Sequence, residues 1–257
     1  VEPLATGGSA PQAADVSTHL ADHDAERADF QRVLDAVAEI QRAPLDDLRS
    51  VDWLAALIRG VGLVPIPEAA ITYEGEEDYL NASQQGLIQL PREFARYLRL
   101  LAEHRPASYL EIGCFNGATA SLATAYLQRF NPAVQATTID LWPAFLFYHE
   151  VRELIPLRYV VGKTSYDLAG EKFDAVFIDG DHSFDWAWAD YQNVGRTAKV
   201  CALHDVNNAP YRELPLGGVC GVWDLLRRDE AGPGVEFIEI FEHPSREIMG
   251  LGVRLAR

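Results

Sequence analysis

Only three of the 257 residues are cysteine, Cys114, Cys201 and Cys220, an odd number with no close pair. Neither a disulfide scaffold nor a zinc knuckle is indicated, and the three read as reduced thiols. Basic residues are also scarce: 22 Lys and Arg face 38 Asp and Glu, for a formal charge of −16. A sequence-independent grip on nucleic acid or on an anionic membrane needs a cation for each phosphate contact, so neither partner is expected. A neutral or cationic small molecule, or a divalent metal, suits such a field better. No run approaches 18 apolar residues, and the opening VEPLATGGSAPQAADVS has neither a basic start nor an apolar centre. Neither a membrane span nor a secretory leader is therefore expected, and the chain is expected in the cytoplasm. What is present is a hydrophobic content of 48%, enough for one large α/β domain with an appendage.

Residues 1–18, rich in Ala, Gly, Ser and Pro, are expected to form a mobile arm. From 24 to 42, Phe30, Val33, Leu34, Val37 and Ile40 recur at spacings of three and four, one face of a helix. A second helix is expected over about 46–60, and the prolines and acids of 63–83, with Tyr73, Glu74 and Tyr79, form an aperiodic stretch of lid length. Helical spacing resumes over 84–106 through Leu98 and Leu101, interrupted at Pro91. The apolar faces at 24–60 could pack on their own sheet or on a second subunit, and a homodimer is the expectation.

After residue 106 short apolar runs alternate with helical patterns, which signals βαβ units and a parallel sheet. Strands are expected at 108–112, 134–139, 157–161, 173–178 and 199–203, with helices near 117–129, 143–153, 165–169, 184–195 and 219–228. The last two apolar runs, VEFIEIF and IMGLGVRLA, lie too close for a crossover, so the sheet should end in an antiparallel hairpin. The chain thus divides into the arm 1–18, a helical extension and lid 19–105, and an α/β domain 106–257. There is no internal repeat.

The run YLEIGCFNGATASLATAY reads strand, glycine turn, helix. Gly113 and Gly117 permit a tight turn and close approach of a ligand to free helix N–H groups. The spacing is G-x-x-x-G, not the dinucleotide G-x-G-x-x-G, and Glu111 two residues earlier would repel a pyrophosphate but welcome a cation. Here the chain resembles the class I S-adenosylmethionine-dependent methyltransferases, whose first motif has this form and whose second strand ends in an acid. Asp140, in TTIDLWP, stands 29 residues after Glu111. The resemblance covers about 106–257, and QQGLIQL at 84–90 looks like the pre-sheet helix of small-molecule O-methyltransferases. It implies a Rossmann-like, doubly wound, mostly parallel seven-stranded sheet with S-adenosylmethionine across its strand ends. Glu111 and Gly113 would face the methionine portion, Asp140 the ribose, and Gly162, Lys163, Thr164 and Ser165 would border the adenine; the turn residues Cys114, Phe115, Asn116 and Gly117 would also bind the cofactor.

The stretch FDAVFIDGDHSFDW raises a separate question, because one turn residue would have sufficed after its apolar run. In open α/β sheets ligands sit beyond the carboxyl ends of the strands. Asp179 and His182 then face the cofactor crevice, and CALHDV delivers His204 and Asp205 to the same rim. Asp179, His204 and Asp205 make a set that a divalent cation would occupy, with Asp179 also bordering the cofactor. Here the resemblance narrows to metal-dependent O-methyltransferases, of the catechol type and of the antibiotic-tailoring type that shares F-I-D-G-D-H-S. It implies magnesium or manganese, a small-molecule hydroxyl acceptor such as a sugar or phenol, and His182 as the group accepting the proton. This chain carries His204 where those relatives have a carboxylate, and imidazole suits Mn, Fe, Ni or Zn better than Mg. Metal-independent methylation of oxygen or nitrogen, and a cofactor-binding protein without catalysis, are the alternatives. Asp181 is expected to cap the helix that follows, and Trp186 or Trp188 to pack or to wall a pocket.

Overall fold

The computed structural model describes residues 13–64, 83–242 and 248–257, the side chains of 13–23 excepted. Seven strands form one sheet: β1 (Ser108–Ile112), β2 (Gln135–Asp140), β3 (Leu157–Val161), β4 (Ala175–Ile178), β5 (Val200–His204), β6 (Val235–Ile240) and β7 (Leu251–Ala256). Their order is β3-β2-β1-β4-β5-β7-β6. β1 to β5 are parallel, and β7 lies antiparallel between β5 and β6. The expected Rossmann-like sheet with its terminal hairpin is therefore present.

Burial explains why β4 and β5 read as continuous apolar runs: helices cover both faces, so every residue of these strands is buried. Alternation still sorts the side chains. Phe177 and Ala202 join a core with the N-terminal helices, whereas Val176, Ile178, Cys201 and Leu203 join one on the opposite face. The first core is built by α1 (Ala13–Arg42), α3 (Val51–Val61), α4 (Pro91–His104) and α5 (Ala118–Phe130). The second is built by α7 (Phe184–Asp190), which continues as a π turn to Gly195, and α9 (Gly218–Asp229). Among the described residues there are also the short helices α2 (Leu45–Leu48), α6 (Tyr148–Val151) and α8 (Ala209–Arg212).

The apolar face of α1 is spent within the chain. Phe30, Val33, Val37 and Ile40 are buried, the Phe30 ring stacks on Phe147 at 4.9 Å, and Arg129 donates to the Ile40 carbonyl. These four side chains therefore pack within the chain. Among the described residues no helix is long and apolar enough to cross a membrane.

Several elements differ from expectation for physical reasons. Residues 1–12 of the expected arm lie outside the described residues, and from Ala13 the chain is already helical. The single helix expected over 46–60 is broken before Val51, where the Ser50 hydroxyl accepts the Trp53 N–H at 3.2 Å and starts a new helix. Residues 84–90 are not helical. Leu87 instead bonds to Gly62 and Val64, and Gly86 lies so close to Gly62 that no Cβ would fit. Pro91, which needs no donor there, opens α4. The helix expected over 143–153 shrinks to α6 because Phe145 and Phe147, two residues apart, both turn inward. Residues 65–82 of the expected lid, with Tyr73, Glu74 and Tyr79, lie outside the described residues.

Glu93 of α4 is fully buried and accepts the N–H groups of Glu242 and Gly250 at 2.8 and 3.2 Å. Burial pushes its carboxyl up to about 7, from an ordinary value of 4.5. The folded chain then binds the proton more tightly than the unfolded chain, so this group's contribution to stability falls as pH rises between those two values. Glu93→Gln keeps one of the two acceptors and removes the titration. In urea denaturation its deficit relative to the parent chain should shrink between pH 5 and pH 8; a constant deficit would show that Glu93 does not titrate there.

Candidate active site

Parallel pairing of β4 with β5 sets Ile178 beside Leu203, so Asp179 and His204 stand in register at the carboxyl edge of the sheet. Asp205 follows with a left-handed backbone, φ 60°, uncommon for a residue with a side chain. His182 reaches back from the turn before α7. One ligand atom from each of Asp179, His182, His204 and Asp205 lies within 4.8 Å of the others. His204 Nδ1 is 3.0 Å from Asp179 Oδ1 and 3.2 Å from Asp205 Oδ2. His182 Nε2 is 2.9 Å from Asp205 Oδ2 and 3.5 Å from Asp179 Oδ1.

Electrostatics bind the four together. Burial opposes charge on either imidazole, but the flanking Asp179 and Asp205 outweigh it, raising His182 to about 9 and His204 well above the usual imidazole range. Burial likewise opposes the charge on both carboxyls, and the two histidines outweigh it, holding Asp179 and Asp205 below the ordinary carboxylate value. Two amides hold the outer oxygens: Gln89 Nε2 donates to Asp179 Oδ2 at 2.5 Å, and Asn208 Nδ2 to Asp205 Oδ1 at 2.9 Å. Gln89 in turn accepts the Thr119 hydroxyl at 2.6 Å. The His182 ring stacks on Tyr211 at 4.2 Å with an interplanar angle of 2°.

The glycine turn lies beside this cluster. Gly113 has φ +90°, and a Cβ there would stand 2.0 Å from the Asp179 carbonyl oxygen, so glycine lets the ends of β1 and β4 touch. Asn116 ties the turn to the N-terminal extension, donating to the Gly86 carbonyl at 2.8 Å, while its own side-chain oxygen accepts the Ala118 N–H at 3.0 Å. Asp140 accepts the N–H groups of Phe115 and Trp142, both at 2.9 Å, and so joins the turns after β1 and β2.

A cavity of about 510 Å³ covers these strand ends, an ordinary size for a small-molecule site. Of the residues expected to hold the cofactor, Gly113, Cys114, Phe115, Asn116, Asp140, Lys163, Thr164 and Asp179 line it. His182 and Asp205 line it as well, whereas His204 sits behind them, fully buried. Glu111, Gly117, Gly162 and Ser165 are not in its lining. Glu111 is buried beneath the turn, where it accepts the Tyr109 hydroxyl at 3.1 Å and the Ala120 N–H at the start of α5. Burial, reinforced by the charge of Asp179, raises its carboxyl well above the ordinary value. The carboxyl pictured against a cationic ligand thus lies under the turn, outside the cavity lining. Ser165 is buried, with its hydroxyl accepting from Asn193 at 3.1 Å. Asp181 does not cap α7, since it accepts the Ser183 N–H at 2.8 Å in a local turn and Ser183 holds the cap position. Trp186 lines the cavity, and Trp188 packs between Phe184 and Tyr191.

Sequence reasoning missed Gln89, Thr119, Asp190 and Tyr211, all in the lining. Asp190 is buried at the end of α7, and burial raises its carboxyl to about 6. A buried acid inside the helical run FDWAWAD was the one available signal. Gln89 lies in a stretch that reads as helical and Tyr211 in an aperiodic one, and neither carries such a signal.

Over residues 110–205, from within β1 to the end of β5, the sequence matches the family described as "Methyltransferase domain". None of the curated proteins compared with the sequence matches it. Among solved structures, the chain is similar to an O-methyltransferase from Bacillus cereus in complex with SAH, at 14% identity, 86% of this chain, 95% of that one and a TM-score of 0.52. It is also similar to a candidate O-methyltransferase from Klebsiella pneumoniae, at 18% identity, 66% of this chain, 81% of that one and a TM-score of 0.50. At such identities these likenesses show the fold.

Two glycines with positive φ separate crowding from backbone strain. Gly162 has φ +72° and nothing within 4 Å of an added Cβ, so Gly162→Ala should cost only the left-handed conformation, about 1–2 kcal/mol. Gly113→Ala adds the collision with Asp179 and should cost clearly more by urea denaturation. Equal costs would mean that the β1 and β4 ends do not need this contact.

Proposed function

We propose that this chain, a class I S-adenosylmethionine-dependent methyltransferase, methylates a hydroxyl oxygen of a small molecule and uses a divalent cation held by Asp179, His204 and Asp205. The observation that carries this reading is the mixed cluster of carboxylates and imidazoles at the edge of the cavity that the glycine turn also lines. The donor chemistry fits a cation: buried carboxylates and imidazoles are metal-binding groups, and among the described residues the ion pairs of these carboxylates are with His182 and His204.

When bound, S-adenosylmethionine supplies an electrophilic methyl group, and a divalent cation supplies the positive charge that favours an ionised hydroxyl. The chain's own part is placement and exclusion of water. Ile88, Ile112 and Ile139 give the cavity an apolar floor, and Gln89 holds the orientation of Asp179. Donor and acceptor brought together there need no bimolecular encounter. His182 stands at the edge of the cluster, in reach of an acceptor hydroxyl or of a shared cation. Five aspartates line the cavity, Asp140, Asp179, Asp181, Asp190 and Asp205, while its one Lys, Lys163, is paired with Asp167 at 2.7 Å. Together with the net charge of −16, this supports a neutral or cationic acceptor, such as a sugar or phenol of a secondary metabolite, over one carrying phosphate or carboxylate.

Calorimetry should detect S-adenosylmethionine binding and no nicotinamide dinucleotide binding. Turnover on a panel of hydroxylated acceptors should disappear after chelation and return with added divalent cation; undiminished turnover in the chelated protein would support metal-independent methylation instead. His182→Ala should lower turnover by roughly 10²–10⁴ with cofactor affinity retained. Unchanged turnover in that variant would remove His182 from the chemistry.

A further inference from the structure

The four groups are arranged more closely than three ligands and a detached base require. The nitrogen–oxygen separations run around a closed ring, His182 to Asp205 at 2.9 Å, Asp205 to His204 at 3.2 Å, His204 to Asp179 at 3.0 Å, and Asp179 to His182 at 3.5 Å. Neighbouring ligands around a first-row cation with bonds of about 2.0–2.2 Å stand roughly 3 Å apart, so each edge of this ring has the length that sharing one ion would give it.

The hydrogen bonds show which atoms are left for that purpose. Asp179 Oδ2 and Asp205 Oδ1 are taken by the amides of Gln89 and Asn208, which leaves Asp179 Oδ1 and Asp205 Oδ2 turned toward the histidines. Outer donors that fix the unused oxygen of a carboxylate are a regular part of metal sites. His182 Nε2, although 2.9 Å from Asp205 Oδ2, is buried without a well-aligned hydrogen-bond partner. Tyr211, stacked flat against the ring, holds that nitrogen at the cluster.

We infer that His182 is the fourth ligand of a single metal ion, together with Asp179, His204 and Asp205, and that the site takes a first-row transition metal in preference to magnesium. The inference rests on the metal-dependent reading above and deepens it. Two imidazoles and two carboxylates make a mixed nitrogen and oxygen set with net charge −2, which a dication neutralises. Magnesium favours oxygen ligands and gives up its water reluctantly, while Mn, Fe, Co and Zn accept imidazole readily. His182 is then a ligand, and the sequence-derived role of proton acceptor passes from it.

The test uses the full chain, stripped by chelation and titrated with Co(II), Mn(II) and Mg(II) chloride by calorimetry, with visible absorption following Co(II). The parent chain should bind Co(II) at least tenfold more tightly than Mg(II), and His182→Ala should loosen Co(II) by about 10–100-fold, a loss typical of disturbed metal shells. Thermal unfolding checks the fold of the variant. Spin-echo modulation of the Mn(II)-loaded parent chain, which needs no variant, should count two coordinated imidazoles. One imidazole, or unchanged Co(II) affinity in His182→Ala, would overturn the assignment of His182 while leaving the metal-dependent reading intact. Magnesium bound as tightly as cobalt would overturn the metal preference. No binding of any of the three ions would sink this inference and the metal-dependent reading together, and leave the ring as an ion-pair network.

Discussion

Parallel strands β4 and β5 end side by side, and from that pairing follows everything placed at the centre of the cavity. Ile178 lies opposite Leu203, so the next positions are Asp179 and His204. A slip of one residue would exchange the faces of the whole strand, sending Phe177 and Ala202 into the core that holds Val176 and Cys201. The two apolar cores therefore hold the register, and the register holds Asp179 and His204 side by side. Site geometry here is a consequence of packing on both sides of the sheet.

That arrangement places charged groups out of water, which is costly unless they compensate one another. The ring of two carboxylates and two imidazoles does so, and its outer oxygens are satisfied by Gln89 and Asn208. Local backbone conformation follows the same priority. Asp205 adopts φ 60° and Gly113 φ +90°, each at the point where a strand leaves the sheet for the cavity. The N-terminal extension takes part as well. Gln89 reaches Asp179, and Gly86 accepts from Asn116 in the glycine turn, so residues ahead of the sheet help to shape both halves of the cavity.

Much of the α/β part could be read from the sequence because short buried strands separated by amphipathic helices leave a clear rhythm. All seven strands lie within two or three residues of expectation, including the hairpin, where chain length alone forbade a crossover. Asp179, His204 and Asp205 were legible for the same reason, each standing where an apolar run stops. Legibility ended where tertiary contacts decide. The stretch 84–90 has apolar residues at helical intervals yet is held open by bonds to Gly62 and Val64. Glu111 precedes the turn by two residues, but the alternation of a strand sends its side chain beneath the sheet edge, where Tyr109 and the start of α5 receive it. Gln89 reaches the site from the stretch 84–90 and Tyr211 from an aperiodic one, and only the folded chain shows where their side chains arrive.

On the reading proposed above, one point between the ends of β4 and β5 binds a metal ion beside the cofactor. A crystal structure with S-adenosylhomocysteine and Co(II), with anomalous scattering collected on either side of the cobalt edge, would locate that ion. One strong anomalous peak is expected within coordination distance of Asp179 Oδ1, His204 Nδ1 and Asp205 Oδ2, with the cofactor over Gly113 to Asn116. Cofactor in place with no peak among these side chains, or a peak elsewhere on the molecule, would contradict it.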